Sequence, residues 1–134
     1  MAISPELRKR IQDIRFALLD LHKLLLDRER ALYEQQHEPI GSPGEYLALV
    51  LESAQFAWLR ELSGLIVEMD ELIATRTKLG DPEANAAVES VRSILRLQEH
   101  GTEYQKRYFA AIQDSPDVVI AHCKTEQLLT GRTP

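Results

Sequence analysis

Residues 56–73, FAWLRELSGLIVEMDELI, decide the fold of this chain. The apolar residues of this stretch recur at spacings of three, four and seven, and they are Trp58, Leu59, Leu62, Leu65, Ile66, Met69, Leu72 and Ile73. On an α-helix this spacing forms a broad apolar stripe, wider than a coiled-coil seam and typical of a helix that faces a bundle core. Glu61, Glu68 and Glu71 fall nearly opposite, where we expect solvent. The pattern predicts an all-α protein.

Four helix starts are marked by a capping residue followed by proline: Ser4-Pro5, Ser42-Pro43, Asp81-Pro82 and Ser115-Pro116. Proline suits the first helical position because its missing N–H would be unpaired there. An acidic residue follows in each first turn, where the helix dipole favours negative charge: Glu6, Glu45, Glu83 and Asp117. The sequence therefore predicts four helical segments.

These starts, with the apolar periodicity, predict helices at about 5–38, 43–79, 82–113 and 116–129. The second segment has a plausible break near residues 53–55, because its apolar spacing changes there. The third keeps one register across Gly101, which favours a continuous helix, although Gln98 and Thr102 occupy its apolar stripe. We predict a single domain, 1–134, folded as an antiparallel up-down bundle of three long helices plus a short fourth.

The composition of the chain limits the classes of partner and the cellular compartment that we expect. The chain has 134 residues, with 16 Lys and Arg against 21 Asp and Glu, and a formal net charge of −5. Phosphate binding needs concentrated basic residues, so we expect no nucleic-acid partner. We expect no membrane association, because no apolar run approaches the roughly 18 residues of a membrane span and the N-terminus lacks a signal-peptide core. A cytoplasmic protein is predicted.

The single cysteine, Cys123, excludes an internal disulfide framework and fits a reducing compartment. We expect it to behave as a small buried apolar residue. No neighbouring pattern indicates a catalytic thiolate.

Reflection of the helices about their turns places His22, Ser63, Gln98 and Thr102 at one level of the bundle. One interpretation is a polar layer that fixes the register of the helices, as single buried polar residues do in coiled coils. A second is that a bend exposes some of these residues. The third is a small-molecule site in which they bind the ligand by hydrogen bonds.

The sequence predicts no metal site, no cofactor and no catalytic residue. Helical di-iron sites need a Glu-x-x-His motif on each of two helices, and the chain has this spacing once, at Glu34 and His37. The four histidines also lack the spacing of zinc ligands. Neither a nucleophile elbow nor a phosphate-binding glycine loop is present.

The first helix carries more apolar surface than one stripe. Phe16 points away from the main stripe, and Leu19, Leu26 and Tyr33 form a second line about a quarter-turn from it. Exposed apolar patches usually mark association, so these four residues are a candidate protein interface. The alternative is that the fourth helix of the same chain covers the second line.

The segment Phe56-Ala-Trp58-Leu59-Arg60, with Leu62-Ser63 and Asp70-Glu71, resembles one in a family of small bacterial α-helical proteins that has no assigned activity. The resemblance covers residues 43–73 and implies a bacterial, cytoplasmic protein. We expect a non-enzymatic interaction or assembly module, a homodimer or a binder of another protein. The alternative is a small-molecule-binding bundle that uses the polar layer, and a metal-dependent bundle enzyme ranks third.

Overall fold

The computed structural model describes residues 2–74 and 77–130, which contain six α-helices, one 3-10 turn and no strand. The all-α prediction is confirmed. In chain order the elements are α1 (Pro5–Gln36), α2 (Pro43–Glu52), a 3-10 turn (Ala57–Leu59), α3 (Arg60–Ile73), α4 (Asp81–Ile94), α5 (Glu103–Asp114) and α6 (Pro116–Thr130).

Three of the four marked helix starts, at Ser4, Ser42 and Ser115, have side-chain caps. Ser4 Oγ accepts the Leu7 backbone N–H at 3.4 Å, and Ser42 Oγ accepts that of Glu45 at 3.1 Å. The third start differs, because Gly80 takes the capping position and the helix begins at Asp81. Because Asp81 does not cap the helix, its carboxylate is available to accept the Ser4 backbone N–H at 2.9 Å. This bond connects the start of α1 to the start of α4.

α1 packs between α3 on one side and α6 on the other, while α4 packs against α3 and α5 against α6. The stripe of residues 56–73 faces this core as predicted, and Leu62 and Met69 are fully buried. Fully buried side chains of α1 meet them: Ile11, Ile14, Leu18, Leu21 and Leu25. The predicted outer face is also correct, because Glu61, Glu68 and Glu71 are exposed.

The second predicted helix is broken where the apolar spacing changes. α2 ends at Glu52, and a short non-helical stretch and the 3-10 turn precede α3. The prediction that helix continues to residue 79 is wrong, because α3 ends at Ile73 and residues 77–80 are not helical. Residues 75 and 76 lie outside the described residues.

The prediction of one continuous helix over 82–113 is wrong. α4 ends at Ile94, and α5 begins at Glu103 after a loop. Thr102 and Gln105 form a capping box at the start of α5, in which the Gln105 side chain accepts the Thr102 N–H at 2.8 Å. This reciprocal cap satisfies backbone donors that a continuous helix would have satisfied, so the chain can turn and pack α5 against α6.

The bundle of three long helices is not confirmed, because of the three helices predicted to be long only α1, with 32 residues, is close to its predicted length. The other described helices have 10 to 15 residues. Among the described helices, none combines the length and the apolar character needed to cross a membrane.

Candidate functional site

Every seventh residue of α1 from Arg8 to Glu29 makes a polar contact with α3 or the turn before it. Arg8 donates to the Ile73 carbonyl, Arg15 pairs with Asp70, and His22 bonds to Ser63. Residues seven apart share one face of a helix, so Arg8, Arg15, His22 and Glu29 form a line that we call the polar seam. Because its partners run in the opposite chain direction, the seam fixes α1 and α3 as antiparallel neighbours.

His22 and Ser63 lie at the centre of the polar seam. The Ser63 Oγ and His22 Nε2 atoms are 2.8 Å apart, and the Ser63 hydroxyl also donates to the Leu59 carbonyl at 3.1 Å. One hydroxyl has one proton, so when Ser63 donates it to Leu59, the Nε2–H tautomer of His22 donates to Ser63. Partial burial lowers the pKa of His22, which favours the neutral ring.

This pair does not have the arrangement of a catalytic serine and its base. The Ser63 hydroxyl also lies within hydrogen-bond distance of the Leu59 carbonyl on the preceding helical turn. Among the described residues, no carboxylate bonds the other ring nitrogen of His22 and so none orients the ring as a catalytic triad requires. The contact joins α1 to α3.

The structure does not bring Gln98 and Thr102 to this level. Gln98 is exposed in the loop between α4 and α5, and exposed Thr102 caps α5. The predicted four-residue layer is wrong in these two members, because it assumed that the third helix continued through them. A role of His22 and Ser63 in ligand binding stays a prediction.

The lowered pKa of His22 predicts a pH-dependent stability. The unfolded chain binds the proton more tightly than the folded chain, so the His22 contribution is present above pH about 6.5 and is lost as pH falls through the lower folded pKa. Between about pH 7 and pH 5 we expect the free energy of unfolding to fall less in His22→Gln than in the wild type. Glutamine retains a donor for Ser63 but does not titrate. Urea titrations of both proteins at several pH values measure the free energy of unfolding. Parallel pH profiles of the two proteins would refute the prediction.

Glu29, at the end of the polar seam, is a buried charge that the sequence reasoning missed. Its side chain is 2% exposed, Oε1 accepts the Trp58 indole N–H at 3.2 Å, and Oε2 accepts Gln55 Nε2 at 3.2 Å. Arg28 lies 3.3 Å from Oε1 and also forms a two-bond pair with Asp114. Glu29 therefore joins α1 to the 3-10 turn, and its neighbour Arg28 joins α1 to α5. The spacing of seven between His22 and Glu29 was the available signal.

A second buried polar cluster lies between α5 and α6. The Tyr108 hydroxyl is 2.5 Å from His122 Nδ1, and His122 Nε2 is 2.5 Å from the Glu126 carboxylate. Burial raises the pKa of Tyr108, so the phenol stays protonated. Neighbouring Tyr104 stacks on Tyr108 with ring centroids 5.8 Å apart, and its buried hydroxyl has no partner among the described residues. The cluster fixes α5 on α6.

Within the described ranges, no group of three or more His, Cys, Asp or Glu side chains is placed to hold a metal ion. The two residues of the single di-iron-like spacing make local contacts. Glu34 accepts the Ile40 N–H at 2.8 Å, and the His37 ring stacks on Tyr33 at 4.1 Å. The expected burial of Cys123 is wrong, because α6 directs it to solvent.

The four predicted interface residues differ in exposure. Phe16 is 70% exposed, whereas Leu19 and Leu26 are half-buried against the core and Tyr33 contacts His37 and Phe56. The fourth helix does not cover the second line, because α6 lies against the side of α1 that carries Ala17 and Leu24. Their use as an interface stays a prediction.

Helix α2 is unusual because it is mostly apolar and yet lies on the surface. Within the described part of the chain, none of its ten residues is buried, and Leu47 and Leu51 are 58% and 61% exposed. It is held to α1 by Arg30, whose guanidinium lies 4.8 Å from the centre of the Tyr46 ring. α2 therefore adds apolar surface to the molecule without adding to its core.

A groove of about 600 Å³ runs between α1 and α6. The apolar side chains that line it are Ala17, Leu24, Ile120, Ala121 and Leu128. Charged or polar side chains border it, and they are Asp20, Lys23, Asp117, Lys124 and Gln127. An open apolar groove with a polar rim is a surface suited to another helix.

Comparison with protein-family models, with curated proteins and with solved structures finds no match to this chain. The resemblance of residues 43–73 to small bacterial helical proteins therefore stays a prediction.

Proposed function

We propose that the protein is a non-enzymatic assembly module that acts as a homodimer. The observation that carries the proposal is the apolar surface that the described residues leave in contact with solvent, above all in the groove between α1 and α6. Among the described residues, five large apolar side chains on four helices are more than half exposed: Phe16, Leu47, Leu51, Val67 and Ile120. Burial of such surface between chains removes it from water and favours association.

The chemistry of the polar groups also supports a non-enzymatic role. The His22–Ser63 pair and the Tyr108–His122 pair join neighbouring helices, and Glu29 bonds to Trp58. Each polar cluster thus has a structural task that explains its burial. A bacterial and cytoplasmic origin, favoured by the resemblance and by the single exposed thiol, belongs to the same proposal.

Light scattering of the purified chain over a range of concentrations tests the proposal. We expect a particle of twice the 15.3 kDa of the chain, with dissociation on dilution. A mass of one chain at every concentration, up to the millimolar range, would remove the homodimer from the account.

The half-buried His22–Ser63 pair supports a second candidate, the binding of a small molecule. His22 is partly accessible, and its Nδ1 atom has no hydrogen-bond partner among the described residues. A thermal-shift screen in which compounds stabilise the wild type and not Ser63→Ala would favour this candidate.

A further inference from the structure

The rim of the groove between α1 and α6 has a charge pattern that is complementary to itself. α1 contributes Asp20 and Lys23, and α6 contributes Asp117 and Lys124, so each wall carries one charge of each sign. A rim with zero net charge does not select a strongly acidic or a strongly basic partner. A two-fold axis, in contrast, can bring unlike charges of two identical rims together.

The spacing of the charged residues on α6 allows a two-fold axis to pair unlike charges. Asp117 and Lys124 are seven residues apart, so they lie on one face of the helix and about 10.5 Å apart along its axis. Ile120 and Ala121 lie midway between them. When two α6 helices pack antiparallel around a two-fold axis at this midpoint, Lys124 faces Asp117 of the partner subunit. The two-fold symmetry places Asp117 opposite Lys124 of the partner subunit in the same way.

The midpoint is also the most apolar part of the groove. Ile120 is 55% exposed, and in the antiparallel arrangement the two copies of this side chain meet beside the axis. Ala17 and Ala121 are small and leave room for an approaching isoleucine, while Leu24 and Leu128 extend the apolar lining. A stable dimer buries about 800 Å² on each partner, which is about a tenth of the 8383 Å² accessible surface of this chain.

We propose that the groove between α1 and α6 is the two-fold interface of a homodimer, with α6 packed antiparallel against its counterpart. This inference rests on the proposed assembly function and adds to it the surface and the partner. The unlike charges at Asp117 and Lys124 set the antiparallel register, and Ile120 supplies the buried centre.

Charge reversal tests the pairing. Lys124→Asp places two acidic side chains opposite each other at both symmetric positions, and Asp117→Lys places two basic ones there. We expect each single variant to weaken dimerisation by roughly tenfold or more, because like charges opposed at an interface are repulsive. The double variant Asp117→Lys/Lys124→Asp restores the unlike pairs, so its dimerisation constant should return toward that of the wild type. Sedimentation equilibrium measures all four constants, and circular dichroism checks that each variant is folded.

Two controls separate the inference from the proposed function. Lys106→Asp changes the same charge on exposed α5 outside the groove, and Leu47→Glu/Leu51→Glu changes the apolar face of α2. We expect both to dimerise as the wild type does. If the wild type dimerises and the groove variants do so equally well, or if the α2 variant alone becomes monomeric, the groove is the wrong interface and assembly stands. If the wild type is monomeric, both proposals fail.

Discussion

Replacement of Leu62 by alanine is expected to lower the free energy of unfolding by about 3 kcal/mol. Leu62 is fully buried in the first turn of α3, the helix that packs against both α1 and α4. The change removes apolar contacts and leaves a cavity that rigid neighbouring helices fill only in part. A domain has only about 5–15 kcal/mol of stability, so the loss is a large fraction of it.

Urea denaturation followed by circular dichroism measures this loss, and the thermal midpoint should fall by about 10 °C. Val67→Ala is the matched control, because Val67 lies on the same helix and is 55% exposed. We expect the control to change the free energy by less than about 0.5 kcal/mol. Equal effects of the two substitutions would show that α3 does not present the predicted face to the core.

Removal of the Glu29 carboxylate should have an effect of similar size. In Glu29→Ala the buried indole N–H of Trp58 loses its acceptor, and Arg28 loses one of its two acidic partners. An unsatisfied buried donor and a broken buried ion pair each cost a few kcal/mol, so we expect a loss of about 3 kcal/mol. Glu29→Gln retains an acceptor for the indole and should lose less than the alanine variant.

Denaturant titration of the two variants beside Glu68→Ala, an exposed glutamate on α3, tests this order. The control should stay within about 0.5 kcal/mol of the wild type. Since Trp58 is the single tryptophan of the chain, its fluorescence should also change in the alanine variant. A Glu29→Ala protein as stable as the control would show that the carboxylate contributes nothing to the fold.

Local signals in the sequence predicted the helix starts and the core face of α3. Ser-Pro pairs act within one turn of the backbone, and the stripe of residues 56–73 depends only on helical spacing. The His22–Ser63 contact was also within reach, because antiparallel packing relates residue numbers across a short connection. These parts of the fold need no knowledge of distant partners.

The errors arose where tertiary partners override the local pattern. The apolar register through Gly101 favoured a continuous helix, and the capping-box spacing of Thr102 and Gln105, which indicates a helix start, was missed. That error placed Gln98 and Thr102 in the polar layer with His22 and Ser63, to which they do not belong. Glu29 and His122 were missed because a charged or polar residue is expected to be exposed unless its buried partners are known.

A disulfide trap at the centre of α6 tests most directly the claim that two copies meet across the groove between α1 and α6. In a Cys123→Ser background, Ile120→Cys places one thiol beside the two-fold axis in each copy, and Val67→Cys places an equally exposed thiol on α3 as the control. Under mild oxidation we expect Ile120→Cys to give a covalent dimer rapidly and nearly completely, and the control to link slowly. Slow linkage at position 120, or preferential linkage at position 67, would contradict the groove as the dimer interface.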